Sequence, residues 1–231
     1  MIANGQPSFT AFTAAAARAA HLIVDDEPRI FADTLAEAML GERAGEFIAY
    51  HRAHGTHPIL SGARAQVTCR SRYAEDRLAD AIGRGAGQYV MLGAGLDSFA
   101  GRSGLARQVR VFEVDHPATQ EWKRRVRPVP ENVTLVPVDF TLDPLRDRLG
   151  QAGFDFGRPA FVSWLGVTVY LDQDAIEQTL TVAGGFGPVR HVRQRDMIPA
   201  AAWDRSDSLR PADLSRIAHA AIPGRPQASG D

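Results

Sequence analysis

Acidic side chains and glycines directly follow short apolar runs of this 231-residue sequence. The first run leads into Gly93 and Gly95, and two later runs lead into Asp115 and Asp139. Glycine lets the backbone turn sharply and lie close against a ligand. If the runs form parallel strands, their carboxyl ends meet at one crevice of the sheet, where ligands bind. The spacing therefore predicts that these residues share one binding site.

Adenosine is the ligand that this set of residues fits best. The carboxylate of Asp115 can accept hydrogen bonds from both ribose hydroxyls, which an ionised group does better than a neutral one. Asp139 can accept a hydrogen bond from the exocyclic amine of adenine, and Phe140 offers apolar surface to the ring. Either acid alone is explained equally well as the end of a strand or a helix cap. Only the two acids together with the glycines favour an adenosine site.

Adenosine cofactors that carry phosphates fit the sequence less well. NAD needs its pyrophosphate at a helix N-terminus after a glycine loop. Ser98 stands where that fingerprint has its third glycine, and about a dozen residues separate Gly95 from Gln108, which is short for the usual crossover helix. The lysine of an ATP-binding loop is also missing. S-adenosylmethionine has no phosphate and needs neither feature, so it is the favoured cofactor, with a nicotinamide-dependent oxidoreductase as an alternative.

Strand-like and helix-like segments alternate from Gln88 onward, which predicts an α/β fold with a doubly wound, mostly parallel sheet. Asp172 is predicted to cap the last helix of this region. The predicted strands cover residues 88–92, 108–114, 133–138 and 160–165, and the predicted helices cover residues 116–127, 144–151 and 173–182.

The residues before the first strand are predicted to be helical. Arg70 and Arg72 come shortly before the glycines, so either side chain can reach an anion bound there. Helical spacing of apolar residues marks four segments, at residues 8–23, about 29–40, 42–53 and 61–83.

Three histidines, His51, His54 and His57, recur at a spacing of three. Gly55 and Pro58 interrupt any helix that would align them, and no acid or cysteine joins the group. We therefore expect a loop here and no metal site.

The pattern changes after Gly184, where apolar residues become too sparse to bury a core. No strand is predicted there, so the last strands of the sheet are expected to be missing. We hypothesise that the reading frame is shifted or the chain truncated at this point. The predicted organisation is a helical cap region at residues 1–87, a cofactor-binding core at residues 88–183 and a divergent or disordered tail at residues 184–231.

Composition excludes several classes of protein. The net charge of −1 and a near-neutral isoelectric point argue against a nucleic-acid-binding surface. Cys69 is the single cysteine, so a disulfide framework within the chain is excluded. The sequence has neither an apolar run long enough to cross a membrane nor a signal peptide, so we expect a cytoplasmic protein without a membrane partner.

Four motifs resemble the leucine carboxyl methyltransferase family, and in particular its bacterial branch of S-adenosylmethionine-dependent methyltransferases. They are Gly93-Ala-Gly-Leu-Asp-Ser98, Val111-Phe-Glu-Val-Asp115, Val136-Pro-Val-Asp-Phe140 and Val167-Thr-Val-Tyr-Leu171, and the likeness covers about residues 8–183. The resemblance implies the Rossmann-like fold of class I methyltransferases with S-adenosyl-L-methionine as cofactor. It also implies O-methylation of a small-molecule or carboxyl acceptor.

The resemblance implies cofactor-binding roles as well. An arginine late in the fourth helix is expected to hold the methionine carboxylate, and Arg72 is chosen with Arg70 as the alternative. The other expected contacts are Gly93 and Gly95 beside the methionine, Asp115 at the ribose with Glu113 supporting its loop, and Asp139 and Phe140 at the adenine.

Two features depart from the family pattern. Leu165 stands where family members often carry a glutamate, and the tail differs from the family's last third. An impaired remnant that binds the cofactor without turnover is therefore an alternative. No catalytic residue is predicted, because methyl transfer mainly requires alignment of the reacting atoms. Tyr170 is expected to be a core or structural residue rather than part of the methyl site.

Overall fold

A parallel β-sheet forms the centre of the structure, a computed structural model that describes residues 7–186 and the backbone of residues 190 and 191. The strand order is β3-β2-β1-β4-β5, so the order reverses between β1 and β4. The register places Leu92 opposite both Val114 and Trp164. The strands are β1 (Gln88–Leu92), β2 (Arg110–Asp115), β3 (Val133–Pro137), β4 (Ala160–Trp164) and β5 (Arg190–His191).

Helices precede the sheet and then alternate with its strands. Within residues 7–186, the helices before β1 are α1 (Phe9–Val24), α2 (Ala36–Leu40), α3 (Ala44–His54) and α4 (Pro58–Gly83). The helices that follow it in the same range are α5 (Phe99–Arg102), α6 (Pro117–Val126), α7 (Leu145–Gln151) and α8 (Gln173–Gly184). The side chain of Asp172 accepts from the backbone N of Ala175 at 2.8 Å, so the predicted cap of α8 is confirmed.

Both faces of the sheet are covered, which confirms the doubly wound α/β prediction. On one face Val90 and Leu92 pack in a cluster with Leu149 of α7. On the other face Tyr89 and Met91 pack in a cluster with Leu78 of α4 and with α5. The alternation follows from the strand period of two, and every residue of β1 is buried.

Helix α1 is joined to the sheet region through a third cluster. Ser8 caps the helix by accepting from the backbone N of Ala11. Phe12 stacks on Phe47 of α3 with ring centroids 5.4 Å apart and meets Trp122 of α6 edge-on at 4.9 Å. This aromatic contact places the alanine-rich helix against the crossover that follows β2.

The second helix is shorter than predicted. Residues 29–35 are not helical, and only Ala36–Leu40 forms α2. The backbone N of Ile30 donates to His21 Nε2, and the Asp33 side chain is buried in contact with Arg18. These tertiary bonds hold the backbone outside the helical conformation that apolar spacing alone favours.

The prediction that no strand follows Gly184 is wrong at one point. Arg190 and His191 form β5 and pair in parallel with Phe161 and Val162 of β4. Two residues are too few to produce a periodic pattern, so the sequence carried no signal for this strand. The rest of the predicted tail lies outside the described residues. None of the helices in the described part of the chain has the length and apolar character needed to cross a bilayer.

Candidate functional site

The loop after β1 turns over the end of β2. The backbone N atoms of Gly93 and Ala94 both donate to Val114 O, at 2.8 and 3.0 Å. Gly93 and Gly95 have φ angles of +66° and +54°, which other residues adopt only with strain. The predicted glycine turn is therefore present, and its shape depends on glycine.

The segment after β4 lies directly against this loop. A Cβ atom added to Gly93 would overlap the side chain of Val167. At Gly95 the nearest atom to an added Cβ is Ala11 Cβ of α1 at 3.6 Å, which is ordinary contact. The glycine loop is thus bordered by the β4 segment on one side and by α1 on another.

Asp115 lies at the carboxyl end of β2 and holds the glycine loop. Its Oδ2 accepts from Gly95 N at 2.6 Å, and its Oδ1 accepts from His116 N at 2.7 Å. Burial raises the pKa of the Asp115 carboxyl above its usual value, although hydrogen bonds from Gly95, Thr119 and His116 act in the opposite direction. Because this carboxylate is joined to the loop, the predicted residues Gly95 and Asp115 do come together.

Glu113 is buried on β2 two residues before Asp115, on the same side of the strand, and pairs with Lys123 of α6. The Glu113 Oε2 to Lys123 Nζ distance is 2.5 Å, and Lys123 Nζ also donates to Asp97 O at 2.8 Å. Burial raises the pKa of Glu113, and the charge of Lys123 opposes that rise. Glu113 therefore contacts the loop through Lys123, an arrangement compatible with the supporting role expected for it.

Asp139 and Phe140 follow β3 beside the end of β2. Val138 N donates to Asp115 O at 3.0 Å, which fixes the two strand ends next to each other. Asp139 Oδ1 accepts from the backbone N of Thr141 at 2.9 Å. Phe140 stacks on Trp164 of β4 with centroids 6.4 Å apart, and the buried Trp164 Nε1 has no hydrogen-bond acceptor among the described residues.

The structure does not bring Arg72 to the glycine loop. Its side chain is 57% exposed and pairs with Asp76 one turn further along α4. Arg70 lies on the other side of the helix, because two residues correspond to about 200° of rotation. Arg72 therefore lies away from the glycine loop, and which arginine holds the methionine carboxylate stays a prediction.

Arg70, unlike Arg72, lies against the segment that follows β4. A Cβ added to Gly166, which follows β4, would approach Arg70 Nη1 to 2.5 Å. Burial and the neighbouring charge of Arg18 lower the pKa of Arg70, while the charges of Tyr170 and Asp97 raise it. The positive charges of Arg70 and Arg18 therefore lie close to each other beside the loop. A bound anion would offset the repulsion between them.

Two further residues at the loop were missed by the sequence reasoning. Arg18 of α1 donates from Nη2 to Leu96 O at 2.8 Å and from Nε to Asp33 Oδ2 at 2.7 Å. Arg18 is 5% exposed and Asp33 is 1% exposed. Charged side chains in apolar surroundings were the available signal, since Arg18 interrupts a run of alanines.

The segment after β4 also holds the residues singled out from the sequence. Leu165 is half-buried, and Tyr170, in the 3₁₀ turn Thr168–Tyr170, is 63% exposed. Tyr170 is therefore not a core residue, and the alternative that it has a structural role stays a prediction. A cavity of about 520 Å³ opens nearby between the start of α7 and α8, and of the predicted site residues only Phe140 lines it.

The histidines of α3 and its following turn do not gather. His51 is buried beside Arg64, and burial together with that charge lowers the pKa of His51 to about 4. His57 instead caps α4 by accepting from Ile59 N. Within residues 7–186, no group of three or more metal-ligating side chains is found.

The strand order and the loop joined to the end of β2 are those of a Rossmann-like α/β fold of the methyltransferase type. The signature of the leucine carboxyl methyltransferase family matches residues 11–183. The chain belongs to this family.

Curated relatives show the same affiliation. A Bacillus subtilis protein named "Putative S-adenosyl-L-methionine-dependent methyltransferase YktD" is 33% identical over 197 residues, covering 74% of this chain and 64% of the relative. A Mycobacteroides abscessus protein of the same descriptive name is 33% identical over 200 residues, covering 78% and 64%. A Streptomyces coelicolor relative is 36% identical over 126 residues, covering 51% and 43%. The chain spans just under two thirds of the length of the first two relatives.

Proposed function

We propose that this protein is an S-adenosyl-L-methionine-dependent methyltransferase that methylates an oxygen of a small-molecule or carboxyl acceptor. The observation that carries the proposal is the contact between the Asp115 carboxylate and Gly95 N at 2.6 Å, in a chain of the leucine carboxyl methyltransferase family. This contact joins the acid after β2 to the glycine turn after β1. This supports the proposal, because it joins a hydrogen-bond acceptor to the loop after β1 at the carboxyl edge of the sheet, where cofactors of such folds bind.

The side chains at the strand ends suit the parts of the proposed cofactor. Asp115 would accept from the ribose, and Asp139 from the adenine amine, with Phe140 against the ring. Arg70 would pair with the methionine carboxylate, since a guanidinium matches a carboxylate in geometry and charge. The positive φ at Gly95 and the absence of a Cβ leave the backbone open to close approach.

Asp115 already accepts three hydrogen bonds from the chain, from Gly95, His116 and Thr119. An ionised carboxylate offers about four acceptor positions. One ribose hydroxyl therefore fits without rearrangement, and a second would replace one of the chain's own donors. The Gly95 N–H is the donor that belongs to the loop itself, so we propose that ribose binding and loop geometry are linked through this atom.

The chemistry requires little more than alignment. S-adenosylmethionine, held by Arg70, Asp115 and Asp139, would supply a methyl group that passes from its sulfur to an acceptor oxygen, and S-adenosylhomocysteine would be the leaving group. The segment of residues 165–171 packs on Gly93 through Val167, so it is placed to exclude water and orient the acceptor. The exposed Tyr170 and the half-buried Leu165 lie on this segment and are the acceptor-side contacts that we propose.

We also propose that different parts of the chain bind the cofactor and cover it. Residues 88–183 would supply the strand-end contacts to the cofactor, and residues 1–87 would cover it and contribute Arg70. Supporting this division, Ala11 Cβ of α1 is the nearest atom to the position that a Cβ would take at Gly95. The covering region would then influence which acceptor enters.

Calorimetric titration of the whole chain with S-adenosylhomocysteine and, separately, with NAD tests the proposal. We expect binding of the first and none of the second. Asp115→Asn should weaken binding about tenfold or more, because a hydrogen bond to a charged acceptor contributes about 1.5–3 kcal/mol. Asp80→Asn, at an exposed ion pair of α4, is the matched control and should bind as the unaltered protein does. Binding of NAD alone would contradict the proposal.

A second measurement separates turnover from binding. The protein is incubated with methyl-labelled cofactor and a panel of carboxylic acids and phenols. Label recovered in any acceptor supports a transferase. Cofactor binding without transfer to any of them would instead support the impaired remnant.

A further inference from the structure

We infer that Asp33, through Arg18 and Ser98, positions the glycine loop for cofactor binding, so that the helical region before the sheet sets the geometry of the loop. The inference rests on the proposed function, because the loop is taken to be the cofactor loop. Asp33 and Arg18 are positioning residues and not catalytic ones.

Arg18 connects the N-terminal helix to the loop backbone. Its Nη2 donates to Leu96 O at 2.8 Å, across 78 positions of sequence. Its Nε donates to Asp33 Oδ2 at 2.7 Å, and both side chains are almost fully buried. A buried guanidinium in this position can be held only with its partner charge, because an unpaired buried charge is strongly destabilising.

Asp33 makes a second connection to the same loop. Its Oδ1 accepts from Ser98 Oγ, 65 positions away, and Arg102 Nε donates to Ser98 Oγ at 3.0 Å. Burial acts to raise the pKa of Asp33, but the charges of Arg18 and Arg102 and the hydrogen bonds of Ser98 and Arg18 hold it below its usual value. One ionised carboxylate thus anchors the loop at Leu96 and at Ser98.

The next peptide of the loop is held in the same way from the other side. Lys123 Nζ donates to Asp97 O at 2.8 Å and is itself paired with the buried Glu113. Two consecutive carbonyls, of Leu96 and Asp97, are therefore each fixed by a cation that has its own buried carboxylate. These two contacts restrain the orientation of the peptide planes that carry the Leu96 and Asp97 carbonyls. Hydrophobic packing alone would not require two buried ion pairs at these carbonyls.

The chain contains a matched ion pair that does not touch the loop. Arg64 is 2% exposed, pairs through Nε with Asp25 at 2.8 Å and donates through Nη2 to Gly55 O at 2.8 Å. It joins α4 to the turns after α1 and α3. Removing Arg64 therefore removes a buried arginine of the same kind without altering any contact to residues 93–98.

The experiment compares Arg18→Gln with Arg64→Gln in the whole chain. Amide hydrogen exchange of peptides covering residues 93–98 is measured without ligand, with peptides of β1 as the internal reference. Affinity for S-adenosylhomocysteine is then measured by calorimetry. Arg18→Gln is expected to speed loop exchange and weaken binding, each about tenfold or more, since hydrogen bonds to charged groups are lost. Arg64→Gln is expected to lower the melting temperature similarly and leave both readouts unchanged.

Equal loop exchange in the two variants, or unchanged affinity in Arg18→Gln, would overturn the inference. If Arg18→Gln does not fold, Ser98→Ala takes its place, because it removes one neutral hydroxyl and one of the two anchors of Asp33. Loop exchange and affinity that are unchanged in Ser98→Ala would then overturn it. If the unaltered protein does not bind S-adenosylhomocysteine, the proposed function fails, while loop exchange still decides whether Asp33 positions the loop.

Discussion

Replacing Gly93 with alanine is expected to destabilise the protein by about 2–5 kcal/mol. Gly93 has a φ of +66°, and holding an alanine in that region costs roughly 1–2 kcal/mol. The added methyl group would also overlap Val167, and overpacking of this kind costs about 1–3 kcal/mol. The two costs are separate in origin, so they can be separated by experiment.

Gly95→Ala is the control for the backbone cost. Its φ is +54°, but the nearest atom to an added Cβ is 3.6 Å away, so only the conformational cost of roughly 1–2 kcal/mol applies. Val167→Ala in the Gly93→Ala background removes the overlapping methyl groups. The double-mutant cycle should therefore show a favourable coupling of about 1–3 kcal/mol between residues 93 and 167.

Urea denaturation of the four variants and the unaltered protein measures these free energies of unfolding. The reasoning is refuted if Gly93→Ala and Gly95→Ala lose the same stability, or if Val167→Ala restores none of the loss. Either result would mean that the segment after β4 does not pack on the glycine loop.

The remaining predictions concern the cofactor contacts and the helix that follows β4. Arg70→Ala should weaken calorimetric binding of S-adenosylhomocysteine about tenfold or more, and Arg72→Ala, at an exposed pair, should leave it unchanged. Burial raises the pKa of Asp115, and donors from the ribose favour its ionised form, so affinity for S-adenosylhomocysteine should fall as the pH is lowered from neutrality. Asp115→Asn should bind weakly, and its affinity should not fall over the same pH range. Asp172→Ala should lower the free energy of unfolding by about 1 kcal/mol in urea, since it removes the cap of α8.

The sheet was largely predictable because its strands are short apolar runs, and β1 and β4 are buried along their whole length. The first strand was predicted at residues 88–92 and is Gln88–Leu92, with all five residues buried. β3 and β4 end one residue earlier than predicted and β2 begins two residues later. Local composition decides such elements, because a parallel strand that is covered on both faces is a nearly continuous apolar run.

The site was only partly predictable, because its remaining contacts are distant in sequence. Arg18 reaches Leu96 across 78 positions and Asp33 reaches Ser98 across 65, so no local pattern signals either bond. The same bonds explain why the helix predicted over 29–40 is cut to its last five residues. Tertiary contacts override local propensity where a buried charge needs its partner.

The register of α4 was a different kind of failure. Arg70 and Arg72 are two residues apart in a long helix that carries charge around much of its circumference, so spacing alone could not decide which faces the sheet. The position of Gly166 after β4, against Arg70, shows which of the two side chains lies on that side of the helix. Information about a facing segment is needed to orient such a helix.

Lys123 is the only lysine in the sequence, and it is the residue buried against Glu113 and Asp97. Apart from the chain's terminal amine, its Nζ is thus the one primary amine available to an acylating reagent. Because Nζ is buried and paired with Glu113, we expect such a reagent to react with it when this ion pair opens. The rate of acylation at Lys123 Nζ, measured by mass spectrometry, would therefore report how often Lys123 separates from Glu113 and Asp97. No probe has to be introduced into the protein.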